Sequence, residues 1–424
     1  MDATRKNTSV FLEGNFSRKE RKDRKAGGPT SVSATIDRPG WKRVRLGDAF
    51  MFGNGYTPSK AVKEYWEGGT IPWFRMEDIR ANGRILKDSI QHVTPKAING
   101  AGLFPAGSFI LSTTATLGEY ALLIADSLAN QRFTFLVKNV NRDWQIDNGY
   151  FLQYLSVIGD WCRKTANAGG LLAVNMEDLK NFELRLPDIS TQRNIAVALA
   201  SIDTHISALQ SLIAKYEAIK KATVNLLLEP KSDWRIVPLG EICEVCSTRR
   251  VHESDWTDSG VPFYRARELV ALNEGRSITP LHISENLYKE LIASSGAIRP
   301  GDLLVTGVGS IGVPYLVKRN DKFYFKDGNI IWFKNRGEIW PDYFLHAFRS
   351  DNIQKQIIEM ACVGTVGSYT ITNGKRTLIA LPPLDEQKRI VAILDSIDGT
   401  INGLKSQLAK AQDIKQGMMS YFFG

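Results

Sequence analysis

Residues 186–209 read LPDISTQRNIAVALASIDTHISAL, and residues 381–404 read LPPLDEQKRIVAILDSIDGTINGL. The offset is constant, since 381 − 186 = 404 − 209 = 195. Leu186, Pro187, Gln192, Ile195, Leu199, Ser201, Ile202, Asp203, Ile206 and Leu209 recur as Leu381, Pro382, Gln387, Ile390, Leu394, Ser396, Ile397, Asp398, Ile401 and Leu404. A duplication of this period decides the architecture before any motif is considered. The chain is two similar units, each closed by a similar segment.

Outward from these segments the likeness continues. Trp41 to Asp48 (WKRVRLGD) matches Trp234 to Glu241 (WRIVPLGE). Ile71 to Ile79 (IPWFRMEDI) matches Val261 to Leu269 (VPFYRAREL), and Phe109 to Leu111 with Leu117-Gly118 matches Leu303 to Val305 with Ile311-Gly312. Here the offset drifts, 261 − 71 = 190 against 303 − 109 = 194, so small insertions separate the matched blocks. The likeness is strongest at the unit edges and weakest inside. Two binding modules with different targets give this pattern, and so does drift after duplication.

Within each quoted segment the apolar positions step by four and three. They are Ile195, Leu199, Ile202, Ile206, Leu209 and Ile213 in the first copy, and Ile390, Leu394, Ile397, Ile401, Leu404 and Leu408 in the second. That is a narrow heptad seam, which calls for a partner helix. The cheapest partner is the tethered second copy. The spacing predicts a central helix over 189–229 and a C-terminal one over 384–422, each with about 30–35 regular residues and so about 45–52 Å long. Ser190 and Asp385 stand where an N-cap oxygen serves free amides; Pro187 and Pro382-Pro383 bar an earlier start, and Pro230 stops the first helix. An antiparallel coiled coil would act as a ruler between the units.

The globular units, 41–188 and 234–383, are read as α/β domains of similar fold. Strands are expected over 108–112, 120–124, 134–137, 303–306, 315–317 and 330–333, and helices over 147–160 and 341–360. Between strands lie hydroxyl- and glycine-rich turns at 113–118 and 307–312. They are ordinary hairpin turns in form, yet they can offer amides and hydroxyls to phosphate oxygens, which nominates Thr114, Thr116 and Ser310. Basic residues interleave with aromatics: Lys60, Lys63, Arg75 and Arg84 in the first unit, Arg249, Arg250, Arg265 and Arg267 in the second. Arginine and lysine contact phosphates, and arginine reads guanine edges. Arg75 and Arg265 recur at matched positions and suit structural ion pairs; Lys60, Arg249 and Arg250 lie in unmatched loop sequence and suit specificity. Trp73, Phe74, Phe263 and Tyr264 are expected in the cores.

The 424 residues carry a net charge of +9; residues 1–40 hold nine Lys/Arg and five Asp/Glu, leaving 9 − 4 = +5 for the rest. This excess is compatible with a polyanion partner. Residues 1–40 read as a basic, disordered arm. Four cysteines in such a length are no disulfide framework. Cys243 and Cys246 have ligand-like spacing but no second pair, and the five histidines are scattered, so no metal site is expected. The sequence lacks an evident membrane span, signal segment, amino-methyltransferase tetrapeptide or helicase phosphate loop. Asp385 to Lys388 superficially resembles a nuclease run, yet its twin Ser190 to Arg193 has no carboxylate. A soluble, cytoplasmic protein with no covalent chemistry of its own is expected.

Taken together, residues 41–424 resemble the specificity subunit of Type I restriction–modification systems. The resemblance rests on the Trp-x-x-Val-x-Leu-Gly-Asp/Glu openings, Gly55 to Lys60 (GYTPSK), Ile71 to Phe74, Leu111 to Gly118, and the Leu-Pro-x-x-x-x-Gln segments leading into heptad helices. The basic arm and Ser190-Thr191, where an acidic pair is more usual, depart from the pattern. The resemblance implies a non-catalytic subunit whose two target-recognition domains each read half of a split site in double-stranded DNA. It implies paired helices that set the gap and dock two modification subunits, with restriction subunits completing an ATP-dependent endonuclease. S-adenosylmethionine, ATP and Mg would lie on those partners and none in this chain. A duplicated scaffold for protein partners, and a methyltransferase or nuclease with an unrecognised site, are the alternatives.

Overall fold

The computed structural model describes residues 39–100, 102–142, 144–166, 172–361 and 367–424. The basic arm therefore lies almost wholly outside the described residues, as does Cys362. The chain divides into two compact units, one formed by the chain up to Ser207 together with Ala409–Gly424, the other by Ala208–Leu408. The expected boundaries set each long helix apart from the globular units. In the structure each helix is shared out, because its two ends pack into different cores.

In the first unit a five-stranded sheet runs in the order Phe50–Asn54, Phe133–Lys138, Phe109–Ser112, Tyr120–Leu123, Ile85–Leu86. Its central strands are buried along almost their whole length. The reason is that both faces are covered, which also explains their unbroken apolar sequence. Phe109 and Leu111 face the helix Asn148–Thr165, in a core with Phe50 and Phe151. Ile110 and Phe135 face the other way, toward Trp73 and Phe74. A three-stranded sheet, His92–Val93, Ile71–Phe74, Leu128–Ala129, completes that second core.

The second unit repeats the plan. One four-stranded sheet runs Cys243–Cys246, Ile330–Asn335, Leu303–Thr306, Pro314–Leu316; another runs Trp256–Thr257, Leu281–Ile283, Val261–Tyr264, Tyr324–Phe325. Phe263 is buried and Tyr264 half-buried. Cys243 joins one core and Cys246 packs on another, as positions three apart on a strand must. Their thiols therefore do not converge, and burial raises both above the usual thiol range. The helix expected over 341–360 is two, Pro341–Phe348 and Asp351–Ala361. Ser350 makes the break: its hydroxyl donates to Ala347 O at 2.6 Å while its carbonyl accepts from Gln354 N at 3.0 Å.

Antiparallel ribbons clasp each unit at its edges, Lys42–Arg45 with Glu183–Leu186 and Arg235–Pro238 with Leu378–Leu381. From each ribbon the chain turns directly into a long helix, Ile189–Leu227 or Leu384–Phe423. At 39 and 40 residues both exceed the expected length of about 30–35 regular residues, while their ends lie within two residues of the expected bounds. The expected N-caps are each two residues off. Asp188, not Ser190, caps the first helix, its Oδ1 accepting from Ser190 N at 2.9 Å and Thr191 N at 3.0 Å. In the second, Pro383 O takes the amides of Glu386 and Gln387, so Asp385 lies within the first turn.

The repeated glutamine explains itself here. Gln192 is buried; its Oε1 accepts from Asp147 N at 2.9 Å and its Nε2 donates to Gln145 O and Pro187 O. Gln387 does the same for Trp340 N at 2.7 Å and Pro382 O at 2.9 Å. Tyr150 and Tyr343, also matched, donate to Arg185 O and Ala380 O.

Inside each unit two helix segments run in opposite directions. In the first, Lys415 pairs with Asp203 at 2.5 Å, and Phe423 packs against Tyr154 beside Ile195 and Leu199. In the second, Lys405 pairs with Glu217 at 2.8 Å, Lys220 with Asp398 at 2.6 Å, and Leu228 joins Ile390 and Leu394. Phe423 and Leu228 are equivalent, since 423 − 228 = 195. Along the seams Ile195, Leu199, Leu209, Ile213, Ile390, Leu394, Ile401 and Leu404 are buried; Ile202, Ile206, Ile397 and Leu408 are half-buried. The central helix is, by length and composition alone, apolar enough to cross a membrane, which the sequence reading did not anticipate. Its apolar side is the seam just described.

Candidate nucleic-acid interface

The matched blocks after Pro72 and Pro262 each turn a strand into a short helix, Met76–Asn82 or Ala266–Asn273. The turn is held by a buried carboxylate reaching back to the backbone, as in a capping box. Asp78 accepts from Arg75 N and Ile90 N, both at 2.6 Å. Glu268 accepts from Arg265 N at 2.9 Å. Its other partners are Arg265 Nη2 at 2.9 Å and Arg267 Nε at 2.7 Å. Burial pushes the Glu268 carboxyl up, but these hydrogen bonds outweigh it and hold it below the usual range. Arg265 is thus committed to the turn. Arg75 is half-buried, 3.8 Å from Glu77 and 5.8 Å from the centre of the Trp73 ring.

Each unit also carries a tight loop within the matched block that begins at Phe109 or Leu303. Gly118 N donates to Ser112 O at 2.9 Å, and Gly312 N to Thr306 O at 2.7 Å. The loop tips are left-handed at equivalent residues, Ala115 with φ 62° and Gly309 with φ 71°. Ala115 is exposed between half-buried Thr114 and Thr116; Ser310 beside Gly309 is exposed. A backbone bridge from Thr114 to Ala173 and a bond from Ala115 N to Leu172 O hold the first loop.

In the second unit the short helix and the loop enclose a groove of about 650 Å³, lined by Arg267, Arg276, Ser277, Thr279, Gly309 and Ser310 among others. Two of the candidates, Arg267 and Ser310, are therefore brought together. The sequence reading passed over Ser277 and Thr279. Their signal was weak: two hydroxyls just after Gly275, in a stretch with no counterpart in the first unit.

The remaining candidates are dispersed. Lys60 is exposed and makes no ion pair among the described residues, while Lys63 pairs with Glu67 at 3.8 Å. Arg84 lies over the Tyr120 ring, 4.0 Å from its centre, and also donates to its hydroxyl. Arg249 is anchored through its backbone, its N–H donating to Tyr324 OH at 2.9 Å, which leaves its exposed side chain to solvent. Arg250 Nε meets Asp327 at 3.1 Å.

Among the described residues one ligand-like cluster forms elsewhere. His346, Asp395 and Asp398 bring their ligating atoms within 4.8 Å of one another. The Lys220 ammonium already sits on both Asp398 oxygens, at 2.6 and 2.7 Å. In the first unit the equivalent group is Gln153, Asp203 and Lys415, with Gln153 Nε2 3.3 Å from Asp203. A glutamine in the histidine's place marks this as a repeated helix-to-domain brace. Burial lowers the His346 pKa against the opposing pull of Asp395.

A family model described as the Type I restriction modification DNA specificity domain matches residues 39–218 and again 231–411. The chain is 44% identical over 142 residues to the EcoprrI specificity subunit of Escherichia coli, covering 34% of this chain and 35% of that relative. It is 24% identical over 406 residues to the MjaVIII specificity subunit of Methanocaldococcus jannaschii, covering 90% of this chain and 91% of the other. The crystal structure of a Type I restriction–modification S subunit from M. genitalium shares the fold, with a TM-score of 0.55 at 15% identity, covering 93% of this chain and 98% of that one. With two matched domains covering most of its length, the chain belongs to the Type I restriction–modification DNA specificity family.

Proposed function

We propose that this chain is the DNA-reading subunit of a Type I restriction–modification assembly, each unit reading one half of a split, asymmetric sequence in double-stranded DNA. The observation that carries this is a shared framework with unlike residues at the positions that line the second unit's groove. Gln192 and Gln387, and Tyr150 and Tyr343, make matching bonds in both units, and Asp78 and Glu268 each accept from the amide of the matched arginine. Beside them the wall of the second unit's groove differs from the matched positions of the first unit, Arg267 against Glu77 and Val308 against Thr114. A scaffold duplicated for one target has no reason to keep its braces and exchange charge on its reading face.

The chain itself carries out no covalent step in this reading. Its helices set the gap and dock two modification subunits. Paired exposed apolar residues support that: Ile219 and Leu226 in one unit, Ile414 and Tyr421 in the other, each pair a heptad apart and related by the offset of 195. The partners supply S-adenosylmethionine for adenine methylation and, with restriction subunits, ATP and Mg for cleavage, in the cytoplasm. The test is to express the full chain with its modification partner and map the methylated adenines. A single bipartite motif with a fixed gap is expected, and binding should weaken with salt at a log–log slope of about −0.9 per phosphate contact. Methylation at a continuous motif, or S-adenosylmethionine binding by the purified chain, would contradict the proposal.

A further inference from the structure

Resting on that reading, the geometry points to Arg267 as a guanine-reading residue of the second unit. Three observations converge on it. Arg267 is two-thirds exposed, with 67% of its side chain accessible, and it stands in the wall of the groove formed by the short helix and the 307–312 loop. Its Nε is fixed at 2.7 Å by Glu268, a carboxylate that is only 4% exposed and that is held in turn by Arg265. The two terminal nitrogens carry no protein hydrogen bond among the described residues. A guanidinium tethered through Nε leaves its Nη pair unengaged, and that pair matches the O6 and N7 acceptors that guanine alone presents together in the major groove. The tether also removes rotamer freedom before binding, so less is lost on contact.

The other arginines on these elements are placed differently. Arg265 spends its Nε and Nη2 on Glu268. Arg276 is paired through Nε with Glu274 at 2.6 Å, and that carboxylate is exposed and so orients it less firmly. In the first unit the position equivalent to Arg267 is Glu77, since 267 − 190 = 77. A carboxylate only accepts hydrogen bonds, so the two units cannot read the same base from this position.

The experiment is selection of duplex DNA from a randomised pool by the full chain, comparing wild type with Arg267→Lys and Arg267→Gln. Wild type should recover a split motif with guanine at one position of one half. Both variants should lose that preference by roughly 10- to 100-fold and leave the other half intact. Lysine keeps the charge but replaces the planar fork with a single ammonium, so guanine preference retained undiminished by Arg267→Lys would show that the paired donors are not the reader and overturn the assignment. An unchanged motif in both variants would also overturn it, as would equal fading of both halves. Recovery of no split motif by wild type would instead defeat the underlying reading of the chain.

Discussion

Two single residues show how local chemistry holds the framework. Ala115 is the one non-glycine residue in the left-handed region among those described, at φ 62°, and its twin is Gly309. An L-residue there is strained by about 1–2 kcal/mol, and glycine gives back about 0.4–1 kcal/mol through a freer unfolded chain. Ala115→Gly should therefore stabilise the protein by about 0.5–1 kcal/mol, read from denaturant midpoints; destabilisation would mean that the methyl group is packed. Asp188 is the other. Hydrogen bonds from the Thr191 hydroxyl and amide and from Ser190 hold its pKa at about 2, below the ordinary 3.8. Its folded value is the lower one, so its contribution is complete above pH 3.8 and disappears as pH falls through about 2. Asp188→Asn keeps an acceptor without a charge. The stability difference between wild type and this variant should shrink over that window, and a difference that holds constant to the bottom of it would show that the cap carries no charge dependence.

At the scale of elements, the long helices were the most legible part of the chain, because a heptad pattern is written in every turn and its burial follows directly. Leu199 and Leu394 are wholly buried at equivalent seam positions. Leu199→Ala and Leu394→Ala should each cost about 2–5 kcal/mol, measured by chemical unfolding. A loss under about 1 kcal/mol at both sites would mean the seams are loosely packed. The ion pairs Lys220–Asp398 and Lys415–Asp203 are partly exposed and contribute little beside this, about 1 kcal/mol or less each. What composition and pattern did not disclose were the helix starts and breaks. The capping oxygen at Asp188 precedes the Ser190 hydroxyl that the pattern favoured, and the interruption at Ser350 includes a side chain bonding back to Ala347. Both are set by a few local hydrogen bonds, which leave no periodic trace.

For the whole molecule, the matched edges of the sequence became the ribbons, turns and glutamine braces that close each unit. They were readable because framework contacts constrain residue type twice over. The reading surface was readable only in part. Arg267 and Ser310 were nominated by type, but that Arg267 is tethered by a buried glutamate, and that Ser277 and Thr279 share its groove, follows from how the short helix and the loop fold together. Such positions diverge between the units for the same reason that they would carry specificity. The central claim is that each unit reads its own half-site. The direct test replaces residues 41–188, whose ends lie beside the Lys42–Leu186 ribbon pairing, with the corresponding module of a family member of different specificity. The full chain and its modification partner are then used to map the methylated sequence. The account predicts a motif with one half changed, the other half kept and the gap the same. A motif changed in both halves, or in neither, would contradict it.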